Sequence, residues 1–150
     1  MTSLVRRFLK TAILFLVAGL GIGGWMLVQR ELTGVVTPYV TSAHTHAILV
    51  GFVMMMILGV ALWMFPRPAK GDTRYRPYLA ESAYWMVTTG TAVRVVGELL
   101  HSRTDSDALR FAIVVAGLLQ IAGILTFFAT MWSRIRATGS QVREASGERF

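Results

Sequence analysis

The sequence predicts an all-α membrane protein: a bundle of four transmembrane helices with both termini in the cytoplasm. Three observations carry this expectation. Of 150 residues, 54% are apolar and only 15% charged, where a soluble domain carries about 25% charged residues. The apolar residues gather in runs over about 8–28, 43–65, 78–100 and 108–132, each long enough to cross a bilayer. The basic residues sit at the ends of those runs. Arg6, Arg7, Lys10, Arg67, Lys70, Arg74, Arg76, Arg134, Arg136, Arg143 and Arg149 fall on one side, against Arg30, Arg103 and Arg110 on the other. Short loops rich in Lys and Arg stay in the cytoplasm. Topology thus accounts for the net charge of +7, and no nucleic-acid partner is needed.

The first run follows Arg6, Arg7 and Lys10. It is longer than the core of a signal peptide and lacks a clear small-x-small cleavage site, so it reads as an uncleaved span. Gly19 and Gly23 form a small-xxx-small pair, with Gly21 and Gly24 beside them. Such a pair serves either helix packing or the close approach of a flat cofactor. A polar loop with Arg30, Glu31, Gly34 and Pro38 leads to the second span, which Pro66-Arg67 closes. A Pro- and Arg-rich connection precedes the third span, and the short turn Ser102 to Asp107 precedes the fourth. Residues 1–132 make one membrane domain, and 133–150 are a polar tail expected to be frayed or disordered. The chain has no cysteine, which excludes disulfides, thiolate metal sites and thiol catalysis.

Polar groups inside the spans are the functional candidates, because each needs a partner in lipid. His44, His46 and His101 all fall near the outer interface. At about 100° per residue, His44 and His46 point some 160° apart. The His44 face continues through Ala47, Ile48, Gly51, Met55 and Gly59, small enough to leave a slot, while the His46 face is bulky and suited to lipid or headgroups. Arg94, Glu98 and His101 share one face of the third span. Arg94 there either pairs with Glu98 or binds an anionic group of a ligand. Gln120 is expected to hydrogen-bond another helix. Met54, Met55 and Met56 point around their helix, which suits packing better than copper. The His44-x-His46 pair, with His101, is also a possible copper or zinc site.

The stretch His44-Thr45-His46-Ala47-Ile48-Leu49-Val50-Gly51-Phe52, followed by Pro66-Arg67, resembles the second transmembrane helix of the catalytic subunit of heme–copper oxidases and nitric-oxide reductases. The likeness is nearest to the cb-type oxidases and covers about residues 8–70. The resemblance implies that His44 is an axial ligand of a b-type heme near the outer face. An imidazole on iron needs an acceptor to fix its tautomer, a part that Thr41 or Thr45 would play. A second ligand would be His101, or a histidine from another copy in a homo-oligomer. Arg94 and Gly51 would complete the cofactor site. The oxidase subunit has about twelve helices and further histidines, so one chain with three histidines builds no dioxygen- or nitric-oxide-reducing centre. The expectation is a heme b electron carrier in a bacterial inner membrane, working with a respiratory-chain partner. The alternatives are a copper or zinc protein using His44, His46 and His101, and a cofactor-free assembly subunit.

Overall fold

Proline and glycine punctuate the backbone. The structure, a computed structural model, describes residues 2–66, 76–135, 139, 142, 143, 146 and 147. Among these residues are four long helices and no strand. Helix α1, Ser3–Thr33, opens where Thr2 Oγ1 accepts the Val5 amide. It closes at Gly34, whose φ of 69° only glycine adopts freely, and whose N–H donates to the Arg30 carbonyl. Helix α2, Pro38–Met64, has Pro38 in its first turn, where a missing N–H costs nothing. It ends because Pro66 drives Phe65 into extended backbone. Helix α3, Pro77–His101, repeats the proline start. Helix α4, Asp107–Met131, ends in the 3-10 turn Trp132–Arg134.

The spans expected over residues 8–28 and 43–65 are thus longer, and α2 begins five residues earlier, at Pro38. Residues 67–75 of the basic connection and most of the tail lie outside the described residues. Among the described residues, three stretches are long and apolar enough to cross a membrane: Ser3–Thr33, Pro38–Met64 and Asp107–Arg134. Helix α3 has 25 residues, about 37 Å of helix, but Glu81, Arg94 and Glu98 lower its apolarity. Apolar side chains such as Leu14, Val17, Leu118 and Leu125 stand exposed. In water these would be a liability; in lipid they are the outer surface. The chain is an integral membrane protein.

The helices run alternately up and down. Arg7 at the start of α1 meets Glu81 at the start of α3 at 2.7 Å, and Arg134 at the end of α4 meets Pro66 after α2. Those contacts mark a terminal end; the α1–α2 loop and the α3–α4 turn mark a hairpin end. The main core lies toward the terminal end, where the Phe8 ring sits edge-on to Tyr84 and Phe127 at 5.1 and 5.8 Å. Helix α3 packs on α4 through small residues: Gly90 meets the Ala116 carbonyl, and Gly123 meets Val87.

Helix α2 is not regular. Residues Ala47–Met54 form a π-helical stretch, which breaks the 100° rule that places side chains on faces. The slot expected along Gly51 and Gly59 is filled by α1. A Cβ on Gly51 would lie within 2.5 Å of Phe15 Cγ, and one on Gly59 within 2.9 Å of Phe8 Cβ. Gly51→Ala is therefore expected to destabilise the bundle by about 1–3 kcal/mol through overpacking. Gly24 has nothing within 4 Å, so Gly24→Ala should be neutral or stabilising by up to about 1 kcal/mol. Denaturant titration in detergent, followed by tryptophan fluorescence, compares the two. Equal effects would show that Gly51 is not a packing site.

Candidate functional site

All three histidines lie at the hairpin end, but each belongs to a different environment. His44 is laid against α1. Its Nδ1 is 2.8 Å from the Gly19 carbonyl oxygen. A carbonyl only accepts, so Nδ1 carries the hydrogen, and in the neutral ring the lone pair is on Nε2. A Cβ on Gly23 would stand 2.7 Å from His44 Cε1 and 3.0 Å from Nδ1, so the ring has its seat because residue 23 is glycine. The Gly19/Gly23 pair thus does two things: Gly19 receives Ile48, and Gly23 receives the imidazole. Thr41 and Thr45, expected to hold the ring, are used otherwise. Their hydroxyls donate to the carbonyls of Thr37 and Thr41 one turn back, the local bond that threonine makes within a helix.

Beside His44, where α1 and α2 separate toward their loop, lies a cavity of about 430 Å³. Gly23, Trp25, Met26, Val36, Val40 and His44 line it, with Arg30 and Thr37 among its few polar neighbours. Cofactor sites have this character, at about 300–1,000 Å³. The Gly19/Gly23 spacing had offered two readings, helix packing or the approach of a flat cofactor; Trp25, Met26 and Val36 in the cavity wall had no signal in the sequence.

His46 faces the other way, as the helical angle required, but not into lipid. It looks at α3, with Nδ1 2.8 Å from its own helix's Ser42 carbonyl and 3.4 Å from Glu98 Oε2. Glu98 is the centre of a buried polar cluster and only 2% exposed. Its Oε1 accepts from Ser42 Oγ at 2.8 Å and from Arg94 Nε at 3.1 Å. Arg94 Nη1 donates to Gln120 Oε1 at 3.3 Å, and Gln120 Nε2 donates to Thr91 Oγ1 at 3.0 Å. The guanidinium lies over Gly117, where a Cβ would be 2.9 Å from Nη1. Of the two roles open to Arg94, the structure presents the pair with Glu98, extended to α4 by Gln120. This satisfies the rule that charge inside a bundle is paired.

His101 is buried at the end of α3 with its ring edge-on to Tyr39, centroids 4.4 Å apart. Its Nε2 is 3.7 Å from Asp105, and its Nδ1 has no hydrogen-bond partner. It does not line the cavity beside His44. Among the described residues, no three His, Cys, Asp or Glu side chains come together to hold a metal ion. Each of the three histidine rings packs against a different neighbour: His44 on Gly23, His46 toward Glu98 and His101 on Tyr39.

The fold and the site define a helical membrane protein that presents one imidazole, tautomer set and Nε2 free, to an apolar cavity. The chain belongs to the cytochrome c and quinol oxidase polypeptide I family, whose model matches residues 3–145. The match runs well past the first two helices, to which the sequence resemblance was confined. No curated protein and no solved structure matches the chain significantly.

Proposed function

We propose that the protein is a membrane b-type heme carrier of electrons, with His44 Nε2 as an axial ligand. One observation carries the reading. A metal-binding histidine almost always donates its second ring nitrogen to an acceptor that fixes tautomer and orientation. His44 does so to the Gly19 carbonyl and sits at the wall of an apolar cavity. Family membership supports the same cofactor, since oxidase subunits of this family bind heme. When bound, the iron would accept and pass on single electrons. The chain's own part is to hold the ring, to line the cavity with the apolar Trp25, Val36 and Val40, and to place Arg30, paired with Glu31 at 2.8 Å, beside it.

In this reading α3 also spans, making four, with Arg94 and Glu98 turned to α2 and α4 and Glu81 at its start paired with Arg7. The excess of basic residues at the terminal end puts both termini in the cytoplasm and the cavity toward the outer face. A homo-oligomer and a respiratory-chain redox partner complete the proposal.

The test is the visible spectrum of the protein purified in detergent, oxidised and reduced. His44→Ala is expected to lower bound heme by more than the 10–100-fold that loss of a supporting group costs. His46→Ala should keep it, because His46 faces Glu98. A colourless wild-type protein after heme reconstitution, or heme lost with His46 and kept without His44, would refute the assignment.

A further inference from the structure

We infer that a cleft between α1 and α3 binds one anionic glycerophospholipid, with its phosphate on Arg103 and one acyl chain along Gly21. At the terminal end the two helices are tied together, Arg7 to Glu81 at 2.7 Å and Thr11 to Tyr84 at 2.9 Å. Toward the hairpin end they part, and a second cavity of about 470 Å³ opens between them. It is separate from the cavity beside His44, though Trp25 borders both. Its walls are apolar: Ala18, Gly21, Ile22 and Trp25 on α1, and Leu99 and Leu100 on α3. Ile22 and Leu99 also pack on the buried Ala43, Ala47 and Val95, which closes the cleft on its inner side. Gly21 faces open space, since a Cβ there would have nothing within 4 Å.

The polar end of the cleft chooses the headgroup. Ser102 and Arg103 stand there, in the turn after α3. Ser102 Oγ is spent on the Leu99 carbonyl at 2.6 Å. Arg103 is exposed, and among the described residues no acidic group pairs with it. The acids of this end are taken: Asp105 and Asp107 bind Arg110, and Glu31 binds Arg30. A guanidinium without a counter-charge, above an apolar cleft, suits a phosphodiester, whose two free oxygens match its planar fork. An anionic headgroup neutralises the site, whereas a zwitterionic one brings a second cation with its phosphate. Trp25, 40% exposed, has the place of an indole at the membrane–water boundary. From Ala18 to Trp25 α1 rises about 10 Å, about two-thirds of one leaflet's share of a 30 Å hydrocarbon core. The cleft therefore takes the upper part of one chain. That chain gains little by exchanging lipid neighbours for protein, because both are apolar. The Arg103 contact is thus what separates a bound lipid from a passing one.

The experiment uses the full-length protein, washed in detergent and then offered phosphatidylglycerol or phosphatidylethanolamine in mixed micelles. Native mass spectrometry counts the lipid held by each chain. The wild type is expected to retain one phosphatidylglycerol and to prefer it to phosphatidylethanolamine. Arg103→Gln, at an exposed position and therefore tolerated, should weaken retention about 10–100-fold, the value of a hydrogen bond to a charged group. Gly21→Leu should abolish retention by filling the cleft. Gly24→Leu, outside the cleft and also with nothing within 4 Å, should leave retention unchanged. Circular dichroism of both leucine variants should match the wild type, which separates loss of lipid from loss of fold. A wild type that holds no phosphatidylglycerol or holds the two lipids equally would overturn the assignment. So would retention unchanged in Arg103→Gln or in Gly21→Leu.

Discussion

Arg134→Met is expected to destabilise the bundle by about 3–5 kcal/mol. The side chain is 4% exposed, although it follows the last apolar run and was placed in a polar tail by the sequence. Its Nε donates to the Pro66 carbonyl at 2.9 Å, and its Nη2 donates to those of Leu62 and Phe65 at 3.0 and 2.9 Å. These are carbonyls at the end of α2, where no further turn of helix supplies donors. A cation is also favoured there by the negative end of the helix dipole. Methionine keeps most of the volume but none of the donors, so the carbonyls stay buried and unpaired. Arg134→Lys should recover only part of the loss, because a single ammonium cannot reproduce the planar fork. Denaturant titration in detergent measures both variants; a loss below about 1 kcal/mol for Arg134→Met, the value of one ordinary hydrogen bond, would show that water reaches the helix end instead.

Glu98→Leu should cost a similar amount, about 3–5 kcal/mol, because it leaves Arg94 charged and unpaired inside the bundle. The informative variant is the double one. Replacing a whole buried ion pair by apolar side chains is often neutral, so Arg94→Leu with Glu98→Leu is expected to be more stable than Glu98→Leu alone. Gln120 would lose one donor and keep Thr91, so some penalty remains. The cycle of single and double variants reads the coupling directly. Additive losses would mean that the two groups do not depend on each other, and the buried cluster around Glu98 would then be a set of independent contacts.

Neither result follows from the sequence alone, and the reason is the same in both. Arg134 and Glu98 bond to groups 68 and 56 residues away along the chain. No local periodicity contains those partners. The pairing of Arg94 with Glu98, four apart on one helix, was legible; the Ser42 and His46 partners on α2 were not. Gln120 was legible as an interhelical donor, but Thr91 as its acceptor was not. The divergence of His44 and His46 was readable from the helical angle. What each ring met was not: the Gly19 carbonyl is backbone and has no signature in side-chain chemistry, and the slot along Gly51 had to be seen filled by Phe15.

The π-helical stretch explains part of the gap. Side-chain faces were projected with a regular pitch, which holds from Pro38 to His46 and fails from Ala47. Composition and punctuation determined that this is a helical membrane protein and marked His44 as a ligand candidate; the ends of α1 and the start of α2 lie five residues from where hydropathy put them. Those are properties of hydrophobic length, proline, glycine and charge, all local to the chain. Only the tertiary structure decided which nitrogen of His44 is free, which cavity it borders, and that Trp25 stands in the same wall. Those depend on how α1 lies against α2, and that register is set by the interlocking of Phe15 with Gly51, Ile48 with Gly19, and His44 with Gly23.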